Sequence, residues 1–269
     1  MRMHLTAHMW RYQAVIHRRL VTIRGEGHGS FEATLDAMTE SSKRYEELYD
    51  ASYKFLKEGE ANAEVELAEI HRLAVSAPEE SAAQPVYHIR DGSAVQCTSE
   101  QVQLYLQAAE VRPRVTKMML DKFGGSGRFK SCASIKRNVR IAEKALLRAP
   151  PHEGEVDRCL DLVRDMYVAT EVREVREVVA AMCEWSAVQI VRIKDRFHEP
   201  SAGGWRDCMI NYVCRDDPYA HICELQVSHT AMVATREGMH AHAVYNHTRN
   251  APELVERRED EDRLSKQED

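Results

Sequence analysis

No run of this 269-residue chain approaches the roughly 20 consecutive apolar residues that a membrane-spanning helix needs. Cysteine occurs seven times, at Cys97, Cys132, Cys159, Cys183, Cys208, Cys214 and Cys223, yet no two form a C-x-x-C pair or stand at zinc-ligand spacing. The odd, scattered set reads as ordinary thiols in a reducing compartment. A large charge excess is missing too: the formal net charge is -6 and the pI about 6.1. With no global basic field, no specific nucleic-acid partner is expected, and any nucleotide site has to be local. G-x-S-x-G, H-E-x-x-H, a Walker loop and a dinucleotide fingerprint are all absent. No internal repeat is visible. The expectation is a soluble, cytoplasmic protein of one or two domains.

The segment Met1 to Arg24 contains five arginines and no acidic residue, since the first is Glu26. That composition suits a basic arm over residues 1–29 and also a mitochondrial targeting segment; the arm is preferred. From residue 30 the spacing of Phe31, Leu35, Met38, Tyr45, Leu48, Tyr49, Tyr53 and Leu56 predicts a long amphipathic helix ending at Gly59. A second helix is predicted over residues 61–75, and Asp91-Gly92 predicts a small hairpin. Residues 30–97 therefore form a helical extension. Beyond it, a helix from about Thr98 to Phe123, with a kink or break at Pro113, opens a domain spanning residues 98–250. That domain alternates helices at 134–148, 171–185 and 229–247 with strands at 162–169, 187–194, 208–214 and 220–227. The alternation predicts an α+β fold: a mixed β-sheet with flanking helices, preceded by the helical N-terminal region. Residues 251–269 form a charged tail.

Three groups of residues could carry chemistry. Asp161, at the start of a predicted strand, and Glu224, within another, are the hard oxygen ligands that a divalent metal and a phosphate substrate require. Glu224 could equally be the solvent face of an alternating strand. Lys136, Arg140 and Lys144 recur every four residues on a predicted helix, as a phosphate-holding stripe or simply a wet face. In "HEPSAGGWRDCM", Gly203 and Gly204 permit close backbone approach and Trp205 offers a flat ring to a nucleobase, or packs as a buried turn residue. His240, His242 and His247 lack a shared helix face and predict no zinc site.

Taken in order, "VRIKDRF" with "GGWRD", then "ICELQV", then "GMHAHAVY" resemble the R-x-K-D, N-G-Y-R-S, E-x-Q-I and A-A-H-x-x-Y landmarks of the RelA/SpoT synthetase family. Upstream, "LDLVRD" resembles the strand that supplies the family's metal-binding aspartate. The run "KRNVRIAEK" resembles its K-x-x-x-S-I-x-x-K helix. A second register on "GRFKSCASIKRN" keeps Arg128, Lys130 and Ser134 but puts Asn138 where a lysine belongs; the first register is preferred. The resemblance covers about residues 111–249 and is nearest to a divergent branch found in protists.

The resemblance implies a nucleotidyltransferase-like fold with a five-stranded mixed sheet, and transfer of pyrophosphate from ATP to the 3′-hydroxyl of GDP or GTP. It places magnesium on Asp161 and Glu224, with Glu224 as base or second ligand. Lys136, Arg140, Lys144 and Arg192 would hold ATP phosphates, Trp205 would stack on the acceptor base, and Gln226 would complete the nucleotide site. The preferred register departs from the family pattern at Ser134, where the arginine would stand, and at Arg140, in place of the serine; on the acceptor side Ser201 replaces a lysine and Met209 a histidine. They leave the acceptor unidentified and open a second expectation: an inactive fold that serves as a structural or interaction subunit, with protein partners docking on the N-terminal arm and helices. No His-Asp pair in the N-terminal helices resembles the family's hydrolase domain, so alarmone degradation is not expected.

Overall fold

The computed structural model describes residues 31–81, 84–132, 134–146, 152, 154–201 and 203–238. The basic arm, the charged tail, His240, His242, His247 and most of "GMHAHAVY" lie outside these residues.

Helix α1 spans Phe31–Gly59, and Tyr49 and Leu56 on its three-and-four spacing are buried. Asn62 adopts a left-handed φ of 65° between α1 and α2 (Ala63–Ser81), in which Ala63, Ile70 and Ala74 face the core. The hairpin at Asp91-Gly92 is present: β1 (His88–Arg90) pairs antiparallel with β2 (Ser93–Val95), and both turn residues have positive φ, the geometry that Asp-Gly favours.

Helix α3 runs unbroken over Gln101–Phe123, so Pro113 neither ends nor splits it. Pro113 and Ala109, whose carbonyl loses its partner to the proline ring, are both exposed, so water can satisfy the orphaned group. Leu104, Ala108, Val111, Val115 and Met119 anchor both halves to the core.

The main sheet combines β3 (Phe129–Ser131), β4 (Arg164–Ala169), β5 (Val188–Asp195), β6 (Cys208–Cys214) and β7 (Cys223–His229) in the order β3-β4-β7-β6-β5. Only β4 and β7 are parallel; the other neighbours are antiparallel. Helices α4 (Asn138–Leu146), α5 (Val172–Cys183) and α6 (Thr230–Gly238) and two short 3-10 turns, Gly124–Ser126 and Val156–Arg158, complete the described elements. The α+β architecture with a mixed five-stranded sheet and flanking helices is therefore as expected. β3 is the element that sequence reasoning passed over.

Alternation along the strands divides the sheet into two faces. Tyr167, Ile190, Ile193, Ile210, Tyr212, Leu225 and Val227 join Leu56, Ile70 and the buried residues of α3 and α5 in one continuous core. The helices of residues 31–81 thus share their core with the sheet. Burying each large side chain of this set contributes about 1.5–3 kcal/mol. On the opposite face, Tyr87 and Ala94 of the hairpin region cover a small patch of Leu160, Val191, Val213 and Ile222. The rest of that face carries the polar residues.

Candidate nucleotide site

Asp161 lies three residues before β4, in a buried stretch where Leu160, Leu162 and Val163 are all core residues. Glu224 is the second residue of β7, opposite Arg164 of β4 and Asn211 of β6, and its amide donates to the Val163 carbonyl at 2.9 Å. That bond ties the Asp161 segment to the Glu224 strand. Glu224 is 3% exposed, so it is not the solvent-facing member of an alternating strand.

Two lysines converge on Asp161. Lys136 precedes α4 instead of riding on it, because the helix begins at Asn138, and its backbone amide bonds to the Leu162 carbonyl at 3.1 Å. Its ammonium contacts Oδ2 of Asp161, and the ammonium of Lys144, two turns into the helix region, reaches the same oxygen at 2.9 Å. Arg140, between them, forms an ion pair with Glu143 and not with Asp161. The three cations expected as one stripe therefore divide into a converging pair and a residue engaged on its own helix.

The electrostatics follow from this arrangement. Burial raises the Asp161 pKa, but the charges of Lys144 and Lys136 outweigh it and hold the carboxyl well below the usual carboxylate range. Glu224, without a direct cation, goes the other way: burial and then the Asp161 charge raise it to about 7. Its Oε1 accepts a hydrogen bond from Gln226 at 2.9 Å. Lys136 is lowered by burial and by Lys144, whereas Lys144, half exposed, is raised by Asp161 against burial. The site is thus an ionised acid clamped by two ammonium groups beside a second carboxyl that titrates near neutrality.

Arg192 reaches this face because of a β-bulge in β5 between Ile190 and Arg192. Ile190 and Ile193 both enter the core, and the extra residue lets Val191 and Arg192 both leave it. The Arg192 guanidinium bonds the Asn211 Oδ1 at 2.7 and 3.2 Å. Asn211, Arg164 and Lys194 were not foreseen. The pairing register alone places them beside Glu224 and Met209, and register is not readable from a single strand.

The glycine-rich loop is held by the N-terminal helix. Trp205 meets Tyr49 edge-to-face at a centroid distance of 5.5 Å, and the Arg236 guanidinium stands 4.6 Å over its ring. Arg206 bonds Asp50 at 2.7 Å and the Phe197 carbonyl at 3.0 Å, and lies 4.2 Å over the ring of Tyr53. The residue expected to stack on an acceptor base therefore already has an aromatic and a cationic neighbour.

Among the described residues, no three His, Cys, Asp or Glu side chains gather to hold a metal ion, and no helix is long and apolar enough to cross a membrane. The Oδ1 of Asp161 is nevertheless buried, with no hydrogen-bond partner among the described residues. An orphaned carboxylate oxygen next to a second carboxyl fits an ion that completes its shell with water and substrate phosphates, which is how magnesium is usually held; it does not fit an all-protein cage.

No family model matches this sequence, and no curated protein sequence matches it. Solved structures do. Small alarmone synthetase 2 from Bacillus subtilis is 14% identical over 64% of this chain and 99% of that one, with a TM-score of 0.40. Small alarmone synthetase 1 from Bacillus subtilis, bound to its product pppGpp, is 15% identical over 62% of this chain and 96% of that one, at 0.39. A GTP pyrophosphokinase family protein from Streptococcus pneumoniae is 16% identical over 61% and 92%, at 0.35. The matched proteins are of the kind that the ordered motifs resemble. The fold described above rests on this chain's own sheet and helices.

Proposed function

We propose that the polar face of the sheet binds ATP with magnesium and transfers pyrophosphate to a nucleotide acceptor. The observation that carries this reading is the convergence of Lys136 and Lys144 on Asp161 beside Glu224. Without a ligand the two ammonium groups neutralise Asp161; an arriving polyphosphate offers them a larger negative charge and releases the carboxylate oxygens. Asp161 would then hold the magnesium, whose chemistry is to offset charge on the phosphates, with Glu224 as second ligand or as base. Lys136, Lys144 and Arg192 would orient the chain of phosphates, the form of catalysis that phosphoryl-type transfer mostly needs.

In the transfer step an acceptor hydroxyl forms a bond to the β-phosphorus of ATP, the bond to the α-phosphate oxygen breaks, and AMP departs with that electron pair. Where Glu224 serves as the base it takes the hydroxyl proton, a role that its burial and the neighbouring Asp161 charge, which raise its pKa, favour. Gln226 fixes which way the carboxyl points.

One observation favours a second reading, an inactive fold used as an interaction subunit. Trp205 is already engaged by Tyr49 and Arg236, contacts that tie it to α1 and α6 and compete with a stacking base for its ring.

Incubating the purified chain with magnesium, labelled ATP and a panel of nucleotide acceptors separates the two. Transfer that is lost in Glu224→Gln supports the enzyme. Neither transfer nor ATP binding supports the interaction subunit, and binding without transfer points to nucleotide sensing without turnover.

A further inference from the structure

Strand β6, Cys208–Cys214, is buried along its whole length, and Asn211 at its centre is 0% exposed. A carboxamide there is costly unless every polar atom finds a partner, and Ile210 and Val213 show that apolar residues serve the strand. Asn211 meets that requirement through three particular partners. Its Oδ1 accepts two bonds from Arg192, while its Nδ2 donates to the carbonyls of Leu160 at 3.2 Å and Cys223 at 3.4 Å. Leu160 immediately precedes Asp161, and Cys223 immediately precedes Glu224. One neutral side chain thus touches the guanidinium and the chain just ahead of each carboxylate. The β5 bulge, which sets Val191 and Arg192 on the same side, supplies the register that makes this contact.

We infer that Asn211 is the positioning residue of this face: held by the chain just ahead of Asp161 and Glu224, it aims Arg192 at the space a polyphosphate would occupy beside them. The inference rests on the proposal that this face binds magnesium and ATP. It assigns Asn211 no contact with the substrate. Its effect passes through Arg192, and this separates it from a merely structural buried amide, whose loss would loosen the whole face without regard to Arg192.

The experiment is a double-mutant cycle on the full chain, with the affinity for Mg·ATP measured by calorimetry and folding followed by circular dichroism. Asn211→Leu keeps the side chain's branching and number of heavy atoms and is expected to weaken binding about tenfold. Arg192→Ala should weaken it similarly, and the double variant should bind no worse than either single one. If Asn211→Leu does not fold, the β-branched Asn211→Thr replaces it in the cycle. Undiminished affinity in the folded Asn211 variant, or losses that simply multiply in the double variant, would overturn the inference while leaving the proposed function intact. Absence of Mg·ATP binding in the unmodified chain would overturn both, and is recognised because it appears before any substitution is made.

Discussion

Gly204 lies so close to Glu46 that a Cβ on the glycine would stand 2.8 Å from the Glu46 Cα, and its φ of +81° is one that side chains rarely adopt. The glycine-rich loop and the N-terminal helix are therefore packed backbone to backbone. Gly204→Ala should lower stability by about 1–3 kcal/mol and loosen α1 from the loop. Thermal unfolding together with hydrogen exchange over residues 43–59 checks this. An unchanged melting temperature and unchanged exchange would show that the helix does not depend on this contact.

Glu60 fastens the same region from its other end. Its carboxylate accepts from the Val172 amide at 2.6 Å, at the start of α5, and lies 2.8 Å from Nε2 of His229 at the end of β7. Glu60→Ala should cost about 1–3 kcal/mol by leaving the Val172 amide unsatisfied, while His229 keeps its bond to the Thr170 carbonyl at 2.9 Å. Glu60→Gln keeps an acceptor for Val172 and should lose less. Urea unfolding of the two variants compares them directly.

His221 supplies a pH dependence. It is completely buried, neither ring nitrogen has a hydrogen-bond partner among the described residues, and burial lowers its pKa from 6.5 to about 4. A folded-state pKa below the unfolded value means that the unfolded chain binds the extra proton. The contribution is fully present above pH 6.5 and is lost progressively as pH falls to about 4. The shift corresponds to about 3 kcal/mol. His221→Phe should flatten the stability profile across this window; a profile as steep as that of the unmodified chain would assign the dependence to other groups.

Removing Asp161 has a consequence for folding as well as for the site. Lys136 is only 9% exposed at its side chain and would lose its directly contacting anion, so Asp161→Ala should cost about 3 kcal/mol. Adding Lys136→Met removes the uncompensated charge and should restore much of that loss. A double variant no more stable than Asp161→Ala alone would mean that Lys136 finds another partner or solvent. For the same reason Glu224→Gln is the cleaner probe of catalysis.

Sequence reasoning located what depends on local pattern. The β6 boundaries, the hairpin at Asp91-Gly92 and the amphipathic α1 follow from residue spacing and turn chemistry, and all three are present. The helix around Lys136 illustrates the limit. Four-residue spacing put Lys136, Arg140 and Lys144 on one face, yet the helix starts at Asn138, and Lys136 meets Lys144 at Asp161 through tertiary packing. Asn211 was invisible for a related reason. Its role depends on a bulge in one strand, the register of another and a loop fifty-one residues away, and none of these is encoded near it. The engagement of Trp205 by Tyr49 and Arg236 likewise joins parts of the chain that no local pattern connects.

The most direct test of the central claim is calorimetric titration of the full chain with Mg·ATP at low and raised salt, beside Lys144→Ala. Lys144 is half exposed, so its removal should spare the fold. Saturable one-site binding that weakens with salt, and by about tenfold in Lys144→Ala, is the predicted result. Affinity identical in the two proteins, or no binding by either, would contradict the assignment of this face to a polyphosphate.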